Sequence, residues 1–398
     1  MNSNDKSEKF DFLWLVLFLI IFINGFEAGG YQASLRSIGQ NYDLSETSKG
    51  LFAATELFAT MLAPLILGAW ADANVKTKCI KLLLVIQFVA AAGIQIIGLQ
   101  SAFVVGVFFL GLTTSALQFI SIAALADSYP ISGSKKIGFM TSMYALGALV
   151  APLVVEYYLS LGLTWKVLFA ILAVGSLISF AGIMASGEGQ REAAAREASA
   201  DGSTKKETEF FLMGILLLCV IMCIYVGFEN GFAYFVETLF ADVLDSGLGR
   251  YALSVFWAMM IPSRVFVGYF AKRARAILLT ALVAIPLLTV LVALMDNSLV
   301  VFALCIPLGF ASGAIYPCVL NMMIPFAGKN TAFSTGMITT ATGIGGVVFT
   351  ALTGFNAEHL GMRMAIGILA AFYIFSIAAA ICAGRMYLKR SQGTNGAS

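Results

Sequence analysis

Long apolar runs alternate with short polar connections along almost the whole chain. Twelve of these runs are long enough to cross the ~30 Å hydrocarbon core of a bilayer, which takes about 20 residues in a helix. Their approximate limits are 12–36, 49–70, 79–99, 102–127, 136–160, 164–186, 210–240, 250–271, 275–295, 298–325, 331–355 and 361–387. The pattern therefore predicts an integral membrane protein with twelve transmembrane helices.

The one long polar connection is Gly187–Glu209, which is rich in Glu, Arg, Ser and Ala and follows the sixth apolar run. It lies near the midpoint of the chain and separates six runs from six. We therefore predict an N-terminal six-helix bundle over residues 1–186, a linker over 187–209 and a C-terminal six-helix bundle over 210–398.

The two halves of the chain repeat one another. Gly25–Glu27 reads Gly-Phe-Glu in the first run, and the same tripeptide returns as Gly227–Glu229 in the seventh run, 202 residues later. Gly68–Ala71 at the end of the second run matches Gly268–Ala271 at the end of the eighth, at an offset of 200. Repeated six-span halves are a known architecture of transporters, with the substrate site between the halves near the midplane. The expected fold class is all-α, with two pseudo-symmetric six-helix bundles.

Composition fits a protein whose surface is mostly in contact with lipid. Only 12% of the 398 residues are charged and 60% are hydrophobic, whereas a soluble domain is about 25% charged. The net charge of +2 gives no reason to expect a nucleic-acid partner. The six cysteines show no metal-ligand spacing, so we expect no metal and no cofactor. The expected partners are the lipid bilayer, protons and a small-molecule substrate, and we expect a monomer.

The basic residues predict the orientation of the chain. If both termini are cytoplasmic, 18 of the 24 Lys and Arg residues lie on the cytoplasmic side, as the positive-inside rule requires. We therefore predict a multi-pass protein of the cell (inner, cytoplasmic) membrane with both termini in the cytoplasm. The remaining basic residues are Arg36, Lys49, Lys166, Arg250 and Arg363 on the outer side and Arg264 within the membrane.

Several short motifs, in order along the chain, resemble those of the major facilitator superfamily. The stretch Gly68–Asp72 is followed by Lys76 and Lys78, Ala126–Pro130 follows the fourth run, and Gly147–Pro152 lies in the fifth. The resemblance covers essentially the whole chain and implies the major facilitator fold and transport by alternating access. At the cytoplasmic helix ends, we expect a conformational latch between the halves. Its residues would be Gly68, Asp72 and Asp127.

Two finer resemblances point to different transport reactions. Tyr225–Glu229 and Ser263-Arg264 faintly resemble the fucose-permease-like sugar symporters. The fifth run instead resembles part of the antiporter motif, although Ala151 stands where that motif has a glycine before Pro152. Both reactions stay open on the sequence.

Ionisable side chains inside apolar runs are the candidate chemistry. A charge at mid-membrane costs ~2.5–3.5 kcal/mol on insertion scales, so such residues are expected to be functional. The proton-coupling or substrate candidates are Glu27, Glu229, Glu56 and Arg264, and the alternative is that these polar groups merely satisfy one another between helices. Residues expected to line the substrate cavity are Tyr31, Gln118, Tyr144, Tyr225, Trp257, Tyr316 and Asn321. We expect Glu27 and Glu229 to face a shared central cavity.

These features predict a secondary active transporter, not an enzyme. No glycine-rich phosphate loop is present, so ATP is not the expected energy source, and the single His359 gives no catalytic cluster. The favoured hypothesis is proton-coupled symport of a small organic solute. The alternative is a proton-coupled antiporter that exports drugs or other amphipathic or cationic compounds, which the excess of buried acids over bases supports.

The predicted topology has a direct test. In a Ser203→Cys variant, the new thiol should resist an impermeant thiol reagent added outside intact cells, because residues 187–209 are expected in the cytoplasm. Permeabilised cells provide the control in which the same thiol must react. Rapid labelling in intact cells would reverse the topology.

Overall fold

The protein is described here from a computed structural model that covers residues 12–128, 133–186, 210–270, 273–327 and 331–395. Within these ranges the regular secondary structure is helical and no strand is present. The predicted linker 187–209 lies outside the described residues.

The first half contains six long helices. They are α1 (Leu13–Asn41), α2 (Glu46–Ala73), α3 (Lys76–Ile96), α4 (Gln100–Ser128), α5 (Gly133–Ser160) and α6 (Lys166–Ala185).

The second half supplies the other six spans. Its helices are α7 (Leu212–Thr238), which continues into a π-helical turn (Leu239–Val243), α8 (Gly249–Tyr269), α9 (Ala274–Leu294), α10 (Ser298–Ala327), α11 (Thr331–Leu360), α12 (Met362–Ala371) and α13 (Tyr373–Asn395). The helices α12 and α13 together form the last span. Twelve helical segments of the described chain are long and apolar enough to cross a membrane, which confirms the predicted fold class.

Several helices extend beyond the apolar runs that predicted them. The first run was placed at 12–36, but α1 continues to Asn41, and α11 ends at Leu360 instead of residue 355. The reason is that an apolar run marks the part of a helix within hydrocarbon. Polar residues such as Gln40 end the run without breaking the backbone hydrogen-bond ladder.

The contacts between helices separate the described residues into two units. Unit 1 consists of the described residues within Met1–Gly30 and Leu62–Thr204. Unit 2 consists of the described residues within Tyr31–Met61 and Lys205–Ser398. The end of α1 and the start of α2 are therefore grouped with the helices of the second half. We call Tyr31–Met61 the tip segment. The predicted domain boundaries at 1–186 and 210–398 stay a prediction, and the contacts in this conformation divide the chain differently.

Unit 1 has an apolar core built from the first six helices. Leu17 and Ile20 on α1, Ile80 and Leu83 on α3, and Leu117 on α4 are all buried in one cluster. Close packing of these apolar side chains holds the helices together through many small dispersion contacts.

A buried polar network crosses the same unit. Asn24 on α1 donates its Nδ2 to the carbonyl oxygen of Thr114 on α4 at 3.0 Å. Gln87 on α3 donates to Asn24 Oδ1 at 3.4 Å, and Ser176 on α6 donates to Gln87 Oε1 at 2.9 Å. All four residues are buried, so four helices are joined by polar groups that satisfy one another.

Glycines bring helix backbones into direct contact in both units. In unit 1 a Cβ at Gly25 would lie 2.0 Å from the Tyr144 carbonyl oxygen, and one at Gly147 would lie 2.1 Å from that of Phe22. In unit 2 a Cβ at Gly345 on α11 would lie 1.9 Å from the carbonyl oxygen of Cys223 on α7. The α1–α5 and α7–α11 crossings thus use the same device at equivalent places in the two halves.

The α1–α5 crossing predicts a strong response to a single methyl group. Gly147→Ala should lower the stability of the purified protein by ~1–3 kcal/mol or more, because backbone atoms of α1 must move. Gly93→Ala on α3 is the matched control, since nothing lies within 4 Å of its Cβ position. The thermal unfolding midpoint in detergent should fall for Gly147→Ala only. Equal midpoints in the two variants would contradict the close crossing.

Candidate functional site

Within unit 2, the tip segment contacts α7 of the second half through a buried carboxylate. Tyr234 on α7 donates its hydroxyl hydrogen to Glu56 Oε2 on α2. Its ring meets the Tyr31 ring edge-to-face, with 5.6 Å between centroids and 82° between planes. Glu56, Tyr31 and Tyr234 are 4%, 1% and 1% exposed, so this carboxylate is enclosed by protein and held by one phenol.

A second buried contact lies between α1 and α8. Trp257 donates its indole N–H to Gln32 Oε1 at 3.0 Å, and both side chains are buried. The amide of Gln32 therefore joins α1 to α8 of the second half. In this conformation Tyr31 and Trp257 are packed against protein, and their expected place in a substrate cavity stays a prediction.

An ionic cluster completes the contact at the end of α7. Glu237 lies 3.2 Å from the Arg250 guanidinium on α8 and 3.8 Å from that of Arg36 on α1. Arg36 also donates its Nε to Asp242 at 3.1 Å, and Asp242 belongs to the π-helical turn. Two cations and two anions thus compensate one another within hydrogen-bond or ion-pair distance.

Arg250 also binds the backbone of the tip segment. Its Nε donates to the carbonyl oxygen of Ala33 at 3.2 Å, and its Nη2 lies 3.4 Å from Ser37 Oγ. Because a guanidinium has five N–H donors in a rigid plane, one side chain can bind a carboxylate and a helix end together.

The start of α2 packs closely on α11. The backbone N–H of Thr47 donates to Glu358 Oε2 at 2.9 Å. A Cβ at Gly50 would lie 3.1 Å from the Cα atom of Gly354. The tip segment therefore touches α7, the π-helical turn, α8 and α11 through polar and close backbone contacts.

A second group of ionisable side chains surrounds Glu229 on α7. Tyr225, one turn earlier, donates its hydroxyl hydrogen to Glu229 Oε2. The charge of Arg264 on α8 acts on both Tyr225 and Glu229, and Tyr373 on α13 interacts electrostatically with Glu229. The predicted candidates Glu229, Tyr225 and Arg264 are therefore brought together within unit 2.

Helix packing explains this convergence. On α8, Phe256 and Met260 lie against Gly309 and Gly313 on α10, so these helices run parallel in contact. One turn further along α8 is Arg264, whose charge acts on Tyr316 of α10. Tyr316 is 38% exposed, unlike the buried aromatic residues of the tip contact.

The predicted site residues of unit 1 are placed separately. Glu27 is 1% exposed on α1, and Gln118 on α4 and Tyr144 on α5 are half-buried. Because Glu27 and Glu229 belong to different units, their expected shared cavity stays a prediction.

The other predicted positions lie nearer the helix ends. Asn321 is half-buried on α10, and Gly68 lies on α2 with nothing within 4 Å of its Cβ position. Asp72 and Asp127 fall within α2 and α4, but their side chains are outside the described part of the structure, so the latch also stays a prediction.

Sequence reasoning did not single out several partners. Gln32, Gln87 and Tyr373 were not singled out, although Gln87 was visible as a rare amide in an apolar run. The pairing of Arg36 and Arg250 with Glu237 joins residues far apart in the chain, and no local signal indicates it. Polar residues within apolar runs were thus the signal available in the sequence, and that signal did not identify their partners.

Cavities away from these groups are apolar. One cavity of about 740 Å³ lies between α8, α9 and α10 and is lined by residues such as Phe266, Ile277 and Phe310. No predicted site residue lines it. Within the described ranges, no group of three His, Cys, Asp or Glu side chains is placed to hold a metal ion.

Comparison with solved structures shows the fold. The chain is 14% identical to a bacterial homologue of the human lysosomal transporter Spinster in an inward-facing, unoccupied conformation, with 95% of this chain and 98% of that chain covered and a TM-score of 0.77. It is 14% identical to a D-xylose–proton symporter, with 93% and 96% covered and a TM-score of 0.72. The E. coli fucose–proton symporter FucP is 15% identical, with 93% and 98% covered and a TM-score of 0.60.

Sequence comparison decides the family. No curated protein matches the chain in a sequence search. A family model described as Major Facilitator Superfamily matches residues 17–350, which confirms the resemblance found in the sequence motifs. With this match over most of its length and twelve spanning helices in the described residues, the chain belongs to the Major Facilitator Superfamily.

Proposed function

We propose that the chain is a secondary active transporter that moves a small organic solute across the cell membrane by alternating access, with proton-coupled symport as the reaction. The observation that carries the proposal is the tip segment. Tyr31–Met61 is part of the first six spans in sequence, yet it packs with helices of the second half. Such a contact is what one closed gate of an alternating-access transporter requires.

The chemistry of the tip contacts suits a reversible gate. Arg36, Arg250, Glu237 and Asp242 pair with one another when the segment is docked, and water can satisfy each of them when it separates. Opening therefore exchanges ion-pair partners for water and separates the buried Tyr31, Tyr234 and Trp257, so the balance between the two states combines a polar term with an apolar one. A gate needs this balance to be moved by a substrate or a proton.

Proton coupling is proposed to use the buried carboxylates Glu27, Glu229 and Glu56. Glu56 is the one that lies in the tip contact, where it accepts the Tyr234 hydrogen bond. A carboxylate enclosed by protein is costly to leave charged, and its cost changes when the site opens to water. Protonation can therefore bias the open and closed states, which is the physical basis of coupling.

The same contacts support a proposed orientation in the membrane. We propose that the tip segment is extracellular and that both termini are cytoplasmic, in a monomer within the cell membrane. The few basic residues on the tip side are held in pairs or hydrogen bonds. Arg36, Lys49, Arg250 and Arg363 pair with Asp242, Glu46, Glu237 and Asp296, and Lys166 bonds the Gln95 carbonyl oxygen. They are thus retained there for structural reasons.

Solute-driven proton movement tests the coupling and its sign. Proteoliposomes with a pH-sensitive dye inside should acidify when a transported solute is added outside, from a panel of monosaccharides, nucleosides and small carboxylates. Glu27→Gln should abolish this proton movement while solute exchange continues, and Glu156→Gln is the matched control in a span of the same unit. Alkalinisation would instead support the proton antiporter alternative. Solute uptake without any proton movement would contradict coupling.

The gate is tested by locking it. Thr47→Cys combined with Glu358→Cys places thiols at a half-buried and an exposed position that are joined by a hydrogen bond. A short bifunctional thiol reagent should stop transport in the double variant, and cleavage of the reagent should restore it. Each single variant treated in the same way controls for the native cysteines. Full transport in the cross-linked double variant would show that the tip segment does not need to move.

A further inference from the structure

Arg264 is a cation in a membrane span without a bound acceptor. It lies on α8, five residues before the helix ends at Tyr269, it is half-buried, and its Nε is shielded from solvent with no hydrogen-bond partner among the described residues. The described side chains also include no carboxylate within ion-pair distance of it. A charge in this position costs ~2.5–3.5 kcal/mol on insertion scales, so an acceptor is expected in some state of the protein.

Two neighbouring helices, α7 and α10, bring polar groups close to Arg264. The parallel contact of α8 with α10 places it beside Tyr316, as described above. The antiparallel contact of α7 with α8, marked by Phe232 against Phe256 at 5.2 Å between ring centroids, brings Tyr225 and Glu229 to the same level. Glu229 is already bound by the Tyr225 hydroxyl. It compensates the charge of Arg264 from a distance and leaves the guanidinium donors available.

We propose that Arg264 binds the carboxylate of the transported solute, so that the substrate is a small organic anion. This assignment rests on the proposed transport function and names its substrate class. A guanidinium presents parallel N–H donors that match the two oxygens of a carboxylate. Tyr316 stands beside the same position and offers a partly exposed ring to the remainder of the solute, while the Tyr225 hydroxyl stays bound to Glu229.

The charge of the site favours a carboxylate over a phosphate. Among the described residues, Arg264 is the only cation that acts on Tyr225, Glu229 and Tyr316. One guanidinium offsets one negative charge. A phosphate carries up to two charges at neutral pH and would also face the nearby Glu229 carboxylate, so it is disfavoured.

The same charge balance links the anion to a proton. Arg264 and ionised Glu229 together are neutral, and the arrival of a monoanion would leave one negative charge unbalanced in a low-dielectric region. A proton on Glu229 removes that charge. The titratable or charged groups that face Glu229 are Tyr225 on its own helix, Arg264 on α8 and Tyr373 on α13, and none of them supplies a second positive charge. Anion and proton therefore occupy the site together.

The test compares carboxylates with their neutral amides. The probes are acetate, lactate, succinate and benzoate, each with its amide, and inorganic phosphate as a further arm. Binding to the purified full-length protein is measured by calorimetry and by the shift of the thermal unfolding midpoint. At least one carboxylate should bind, more tightly as the pH falls, and its amide should not.

Variants assign the binding to Arg264. Arg264→Gln should weaken the carboxylate by at least about tenfold, as expected for a lost charged hydrogen-bond pair. Arg264→Lys, which keeps the charge and loses the planar fork, should fall between it and the wild type. Glu229→Gln should keep carboxylate binding and remove its pH dependence. The control is Arg363→Gln, because Arg363 pairs with Asp296 at a helix end and should not affect binding. Monodispersity and the unliganded unfolding midpoint report that each variant is folded.

The outcomes separate this inference from the transport proposal. Equal binding of acid and amide, binding of phosphate alone, no binding of any carboxylate, or full binding in folded Arg264→Gln would each overturn the anion assignment. A neutral solute that drives proton movement in proteoliposomes would leave the transport proposal standing while the anion assignment failed. Carboxylate binding through Arg264 without proton movement would leave the site standing and refute the coupling.

Discussion

A polar side chain within a bilayer must find its hydrogen-bond partner in the protein, because hydrocarbon offers none. This constraint decides which helices of the chain meet. Asn24, Gln87 and Ser176 satisfy one another across unit 1, and Glu56 is satisfied by Tyr234 in unit 2. Each pair joins residues from different helices. A polar group that would be costly to bury alone therefore specifies which helix packs beside it.

Two kinds of contact hold the helices, and they differ in how easily they separate. Glycine crossings, such as Gly147 of α5 against α1 and Gly345 of α11 against α7, place backbone against backbone, and water cannot replace the dispersion contacts that such close approach creates. The contacts of the tip segment are mostly hydrogen bonds and ion pairs, which water can replace. The first kind is suited to holding a bundle together. The second is suited to a surface that parts and closes again.

The twelve spans were predictable because a spanning helix leaves an apolar run about as long as the bilayer is thick, and the repeat was predictable because glycine-acid motifs survived in both halves. The helix ends were not, since a helix such as α1 continues into water without an apolar signal. The grouping of Tyr31–Met61 with the second half was also not predictable. This grouping belongs to one conformation, whereas a single sequence must be compatible with every conformation of the transport cycle.

The residues of the candidate site could be predicted from the sequence, but the pairs that they form could not. Glu229, Tyr225 and Arg264 were selected as polar groups in apolar runs, and the structure brings them together. The roles of Glu237 and Arg36 could not be selected in this way, because residues 201 positions apart meet through the packing of several helices.

The π-helical turn at Leu239–Val243 has a consequence for the charges around it. On a regular α-helix, two residues five positions apart project about 140° from each other, so Glu237 and Asp242 would point to different sides. The π-helical turn winds more slowly than an α-helix, because its hydrogen bonds close five residues apart, and this brings the Glu237 and Asp242 side chains closer in direction. Arg36 can therefore meet both anions at once. The end of α7 thus presents two carboxylates to a single cation, and the wider π-helical turn sets the distance between them.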